Sequence, residues 1–281
     1  MFSGKVVGFI GAGNMGEILI RGLIQSRKVA KSNILACDIS KNRLNFISKT
    51  YGIKTTTSDK ELIRKSSIII IAVKPQNVDE LLDRLSTLSH EGHLFISIVA
   101  GVTAEKIAEK MHHDSGIIRA MPNAPASVLA GVTALYPGRN VAASDLKRAQ
   151  SIFECVGTTV LIKNEALMDV VTGLSGSGPA YVFLAIESLS DAGVQLGISR
   201  AESSLLAAQT VYGAAKMLLE TGKHPSELKD LVATPGGTTF AGLKMLEKCN
   251  FRSTIMEAVE AATIRSRELG VLINSNNKKK K

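Results

Sequence analysis

The sequence predicts an α/β fold: a doubly wound, mostly parallel sheet in the first half of the chain, followed by an all-α second half. Three observations carry this expectation. Short β-branched apolar runs alternate with helix-like stretches from Lys5 to Ile162. Those runs are apolar at consecutive positions, as strands covered on both faces must be. After Asn164 no further strand-like run occurs.

In chain order the predicted strands are "KVVGFI" (5–10), "NILACD" (33–38), "SIIIIAV" (67–73), "HLFISIV" (93–99), "GIIRAM" (116–121) and "TTVLIK" (158–163). Helices are predicted over 14–27, 40–50, 75–89 and 143–154, where apolar residues recur at helical spacing. From 165 to 270 the chain reads as helices broken at "SGSGP", "LGIS", "GKHP" and "TPGG". The helix through "AYVFLAIESLSDAGVQLG" is apolar around most of its circumference, with Val182, Phe183, Leu184, Ile186, Leu189 and Val194 spread around it. Such a helix must be enclosed by other protein, and about one hundred residues barely suffice, so a second subunit is expected to help. The expected domains are 1–163, 164–275 and a basic, disordered tail, 276–281.

Composition narrows the function. With 281 residues, 45% of them hydrophobic, the chain can bury a full core. Four of its nine net positive charges lie in Lys278 to Lys281, tryptophan is absent and aromatics make up 4%, so no basic groove lined with stacking residues is visible and no nucleic-acid partner is expected. No apolar run approaches the roughly 20 residues that span a bilayer, and the N-terminus lacks the order of a signal peptide. Three scattered cysteines fit reduced thiols. No membrane association and a cytoplasmic location follow as expectations. The five histidines show no metal-ligand spacing, so no metal is expected. "GLSGS" (173–177) departs from a G-x-S-x-G nucleophile elbow at its last residue and lacks a preceding strand.

The chemistry-bearing motif is Gly11-Ala12-Gly13-Asn14-Met15-Gly16, between a predicted strand and a predicted helix, with Asp38 at the end of the next strand. This is a Rossmann-type dinucleotide fingerprint. Gly11 allows a tight turn, Gly13 lets a pyrophosphate approach the backbone, and Gly16 lets helix and strand pack closely. Asp38 would accept hydrogen bonds from an unphosphorylated ribose and repel a 2′-phosphate, whereas Lys41 and Arg43 could neutralise that phosphate; NADPH and NADH both remain open. Three more loops follow strand ends, where ligands sit in such sheets. They are Ala72-Val73-Lys74-Pro75, Val99-Ala100-Gly101, with room for a flat ring, and "MPNAP" (121–125). A nicotinamide cofactor without hydrolytic machinery points to hydride transfer.

Taken in order, "FIGAGNMG", "AVKPQ", "VAGV", "TGLSGSGPAY", "HPSELKD" and "TPGGTTFAGL", continuing into "FRSTIMEAVEAATIRSREL", resemble pyrroline-5-carboxylate reductase from about Lys5 to Gly270. The resemblance implies reduction of the C=N bond of a cyclic imine carboxylate to L-proline with NADPH or NADH. It also implies a homodimer with interwoven helices, often assembled further into a decamer, a pentamer of dimers. By position it assigns Asn14 and Met15 to the phosphate loop, Ala72 to Pro75 and Ala100 to Gly101 to the cofactor trough, and Asn123 to the nicotinamide. Glu165 and the loop of Thr234, Gly236, Gly237, Thr238 and Thr239 match substrate-contacting positions. Asp59 stands where relatives commonly carry Asn near the cofactor, Thr234 where Ser is common, and Leu231 where some have Asn.

Within "ATPGGTTFAG", Pro235 is expected at or near the first turn of a helix running through "TFAGLKMLEK", with Thr234 as its candidate cap, leaving open N–H groups that suit a substrate carboxylate. Thr239 is the candidate catalytic residue: its hydroxyl would orient the imine nitrogen, since no His or Lys in the motif is better placed. The rival reading, a β-hydroxyacid dehydrogenase, resembles this architecture but places a catalytic lysine on the long helix after the linker; here no lysine lies between Lys163 and Lys216. A nucleotide sensor without turnover would need no substrate loop.

Overall fold

The structure, a computed structural model, describes residue 2 and residues 4–275. The expected tail, 276–281, lies outside the described residues. Strands β1 (Val7–Ile10), β2 (Ile34–Cys37), β3 (Lys54–Thr56), β4 (Ile68–Ile71), β5 (Leu94–Ser97), β6 (Gly116–Met121), β7 (Gly131–Pro137) and β8 (Gly157–Leu161) form one sheet in the order β3-β2-β1-β4-β5-β6-β7-β8. β1 runs parallel to β2 and to β4, with Val7 opposite Ile34 and Ile68. β7 is antiparallel to β6, and β8 parallel to β7.

Five of the six apolar runs form strands because both faces are covered; the sixth, β8, is instead a sheet edge with Val160 46% and Leu161 44% exposed, so its expected burial does not hold within one chain. Phe9, Ile68 and Ile70 enter one core with Leu19, Ile20 and Leu23 of α1 (Asn14–Gln25) and Ile152 and Phe153 of a later helix; α2 (Lys41–Tyr51) adds Ile47. Ile10, Ile69 and Ile71 enter the other with Leu62 of α3 (Asp59–Lys65), Leu81 of α4 (Val78–Ser86) and Ile107 of α5 (Ala104–Lys110). α6 (Ala143–Phe153) carries that Ile152 and Phe153. The period-two split of "IIII" between the cores is the pleat at work.

Two strands have no counterpart among the predicted runs. β3, "KTT", is a short, partly exposed edge with no apolar content. β7, "GVTALYP", is joined to β6 by nine residues, too few for a helical crossover, so it must turn back antiparallel.

The chain divides into two compact units, one ending at Gly176 and resuming at Ala261, the other Ser177–Glu260. The expected boundary at 163/164 falls inside the first, just after β8. That unit continues through α7 (Met168–Val171) and a π-helical turn, Thr172–Gly176. The second unit contains α8 (Gly178–Gln195), α9 (Arg200–Thr221), α10 (Pro225–Val232), α11 (Thr238–Lys248) and the start of α12 (Phe251–Ser275). Small residues let α8 and α9 meet: Ser203 Oγ donates to Ser190 O at 2.6 Å. Phe183 and Leu184, by contrast, are each 64% exposed. The greasy circumference expected of α8 is therefore real and only partly covered within one chain. No helix among the described residues is long and apolar enough to cross a membrane.

Candidate active site

Strand order reverses direction between β1 and β4, and the fingerprint loop lies at their C-terminal ends, where a crevice forms in such sheets. Gly11 has φ +97° and a Cβ there would lie 2.5 Å from Ala72 O, so the "AVKP" loop crosses it where no side chain fits. A Cβ at Gly16 would lie 2.5 Å from Gly11 O. At Gly13 a Cβ would meet nothing within 4 Å. Gly11 and Gly16 thus serve protein packing, whereas Gly13 leaves a clear space in front of the N-terminus of α1. That terminus has Gly13 as N-cap and no side-chain cap, so its N–H groups are open to an anion. Asn14 and Met15 begin the helix.

Asp38 is engaged on both oxygens: Oδ2 accepts from Ala12 N at 2.8 Å and Oδ1 from Ser40 N at 2.9 Å. Arg43 reaches the same loop, its Nε donating to Ala12 O at 2.5 Å and its Nη2 pairing with Glu17. Burial raises the Glu17 pKa, but hydrogen bonds from Tyr51, whose hydroxyl lies at 2.6 Å, and Arg43 bring it below the ordinary carboxylate value. Lys41 is exposed at the start of α2 and has no side-chain partner among the described residues. Asp59 accepts from Cys37 Sγ at 3.4 Å and from Arg84 Nε at 2.8 Å. Burial first, and Asp59 second, push the Cys37 thiol up to about 12.

Lys74 is exposed, with no ion-pair partner among the described residues, and Pro75 opens a 3-10 turn, Pro75–Asn77, so that α4 starts at Val78 and not at the expected residue 75. Val73 packs against the second core and Val99 is buried; Ala100 is half-buried. Gly101 has φ +75°, and on its Cβ side it meets α12: a Cβ would lie 3.1 Å from Ile273 and 3.2 Å from Gly270. Lys106 Nζ donates to Ile273 O at 2.9 Å, fixing the same helix end. Asn123 is buried, accepting from Val132 N at 2.9 Å and donating to Ser175 O at 3.1 Å, so it joins β6, β7 and the π-helical turn. Ser175 Oγ donates to Val171 O at 3.0 Å.

Glu165 Oε1 accepts from Arg119 Nη1 at 2.8 Å and from Ala104 N at 2.6 Å. Sequence reasoning passed over Arg119, whose signal was a lone cation inside the apolar run "GIIRAM"; a buried guanidinium requires a carboxylate. His112, His113 and Asp114, before β6, bring potential ligand atoms within 4.8 Å of one another, but they are partly or fully exposed, and Asp114 already pairs with His113 at 2.9 Å.

In the second unit the expected start of α11 is corrected. Pro235 and Gly236 are the middle of a tight turn closed by Gly237 N donating to Thr234 O at 2.9 Å, and the helix begins at Thr238 with Gly237 as N-cap. Gly236 has φ +72°, and a Cβ at Gly237 would strike Thr234 Oγ1. The two glycines are needed by the turn itself, which is why the helix starts three residues later. Thr238 and Thr239 occupy its first turn. Among the eleven helices α1 to α11, α1 and α11 alone have glycine as N-cap.

Residues 165–269 match the family model for pyrroline-5-carboxylate reductase dimerisation, and 6–101 the model described as NADP oxidoreductase coenzyme F420-dependent. The pyrroline-5-carboxylate reductase of Methanosarcina acetivorans is 44% identical, over 94% of this chain and 97% of its own. That of Synechocystis is 45% identical, over 94% and 98%. The solved reductase of Coxiella burnetii superposes with TM-score 0.89 at 36% identity, covering 94% of this chain and 98% of its own. That of Plasmodium falciparum, with NADP bound, gives 0.84 at 37%, covering 95% and 98%. With one sheet crevice shaped for a dinucleotide, a helical second half and kinship along 94% of its length, the chain belongs to the pyrroline-5-carboxylate reductase family.

Proposed function

We propose that the protein reduces 1-pyrroline-5-carboxylate to L-proline with NADPH or NADH, as a homodimer built through its helical half, residues 164–275, and assembled further into a pentamer of dimers in the cytoplasm. The observation that carries the catalytic reading is the pair of glycine-capped, side-chain-free helix starts, one per unit. Each is an anion cradle. The α1 start suits a pyrophosphate; the α11 start, flanked by the hydroxyls of Thr234, Thr238 and Thr239, suits the carboxylate of a small substrate. A bound reduced nicotinamide supplies the hydride that the imine carbon receives.

The chain's own part is positioning and charge. Gly11 to Gly16, Ala72 to Pro75 and Val99 to Gly101 shape the cofactor trough. Gly236 and Gly237 clear the approach to α11, and the Thr239 hydroxyl holds the imine nitrogen in register while that nitrogen, protonated, becomes the amine. Glu165 and Asn123 act by bracing the loops they join. The assembly is supported by the exposed apolar side chains of α8 and by an apolar groove of about 710 Å³ between α9 and α10, lined by Val211, Met217, Leu218, Leu228 and Val232. The location is supported by three free cysteines.

The test is steady-state kinetics with pyrroline-5-carboxylate and each dinucleotide. In Thr239→Val, kcat falls roughly ten- to several-hundred-fold at unchanged dinucleotide affinity, the loss of about 1–3 kcal/mol from one polar contact. Full kcat in that variant overturns the role of Thr239; no turnover by the wild type overturns the function.

A further inference from the structure

We infer that Asp38 is a positioning residue that holds the dinucleotide loop, and that discrimination between NADPH and NADH falls to Lys41. The inference rests on the dinucleotide reading of Gly11 to Gly16. A carboxylate at the end of the second strand ordinarily meets the ribose hydroxyls and keeps a 2′-phosphate away. Here each carboxylate oxygen is aimed at a main-chain donor: Ala12 N, inside the fingerprint, at 2.8 Å, and Ser40 N, in the turn before α2, at 2.9 Å. One side chain thereby ties together the two loops between which the adenosine end of a dinucleotide lies.

Arg43 works on the same loop from the opposite polarity. Its Nε donates to Ala12 O at 2.5 Å, its Nη2 lies 3.5 Å from Gly13 O, and its charge is met by Glu17, itself held by the Tyr51 hydroxyl at 2.6 Å. Ala12 is therefore gripped at both its N–H and its C=O. Of the three groups that sequence sets against one another, Asp38 repelling a 2′-phosphate and Lys41 and Arg43 attracting it, Asp38 is engaged by main-chain donors and Arg43 by Ala12 O and Glu17. Lys41 remains: exposed, next to Ser40, without a side-chain partner among the described residues, in a first helical turn with no acid. An exposed cation there attracts a doubly charged phosphate far more strongly than a neutral hydroxyl.

The experiment is calorimetric titration of the full-length protein with NADP⁺ and with NAD⁺. Asp38→Asn and Arg43→Gln each raise both dissociation constants about tenfold, with their ratio within about twofold of wild type and the denaturation midpoint little changed. Asp38→Ala is worse than Asp38→Asn, which keeps one acceptor. Lys41→Gln raises the NADP⁺ constant about three- to tenfold and leaves that for NAD⁺ alone, an effect that shrinks as salt screens the pair. An Asp38→Asn protein that gains tenfold for NADP⁺ over NAD⁺, or an Arg43→Gln protein that weakens for NADP⁺ only, overturns the inference. Either variant suffices should the other fail to fold. The wild-type affinities separately test the nucleotide site itself; the inference is read from the ratios.

Discussion

Glu165 offers the sharpest contrast between a contact with substrate and a contact within the protein. Its carboxylate meets Arg119 at 2.8 Å and Ala104 N at 2.6 Å, with the two side chains 22% and 9% exposed. Glu165→Ala leaves a buried guanidinium uncompensated and a helix-start N–H without its acceptor. Removing one partner of a buried pair costs about 3–5 kcal/mol, so a loss of about 4 kcal/mol is expected. Glu165→Gln keeps an oxygen for both donors and loses only the charge-assisted part, about 1–2 kcal/mol. Arg119→Met with Glu165→Met removes both charges and restores most of the stability, because no ion is left stranded. Urea denaturation at fixed protein concentration, followed by far-UV circular dichroism, reads all three. If Glu165→Ala loses less than about 1 kcal/mol while KM for the imine rises tenfold, the carboxylate faces substrate and the bracing argument fails.

Gly16→Ala places a methyl group 2.5 Å from Gly11 O, so it costs about 1–3 kcal/mol by overpacking and lowers affinity for either dinucleotide; unchanged binding would show that the loop yields. His93 is buried, with Nδ1 accepting from His90 N at 3.1 Å and Nε2 donating to Ile63 O at 3.3 Å; burial, then His90, lowers its pKa from 6.5 to about 4. Its neutral form contributes at most about 3 kcal/mol, fully present above pH 6.5 and lost as pH falls through 4. His93→Asn should flatten that part of the stability–pH curve, and a curve parallel to wild type would contradict it. Leu184→Glu puts a carboxylate into the surface that the second subunit is proposed to cover, at a cost of several kcal/mol to assembly; a dimer of wild-type affinity by analytical ultracentrifugation would place the interface elsewhere.

The sequence by itself determined the alternating architecture, the fingerprint and the all-helical second half. These rest on local signals: β-branched runs, helical spacing, and the spacing of the glycines, of which Gly11 has the positive φ that favours glycine. It could not show β3, too short and polar to carry a pattern, or β7, whose direction depends on a nine-residue connection. Tertiary structure also supplied the protein partners of the charged residues. Asp38, Arg43, Asp59 and Glu165 read in sequence as groups for a ligand, yet each meets a protein partner brought in from another element. Gly101 meets α12, from residues about 170 positions away, and the turn at Gly236 and Gly237 delays α11 to Thr238. A residue's type fixes which interactions it can make, but the partner it satisfies depends on which segments the fold brings within about 3 Å, and a buried charge or donor takes the nearest complement available.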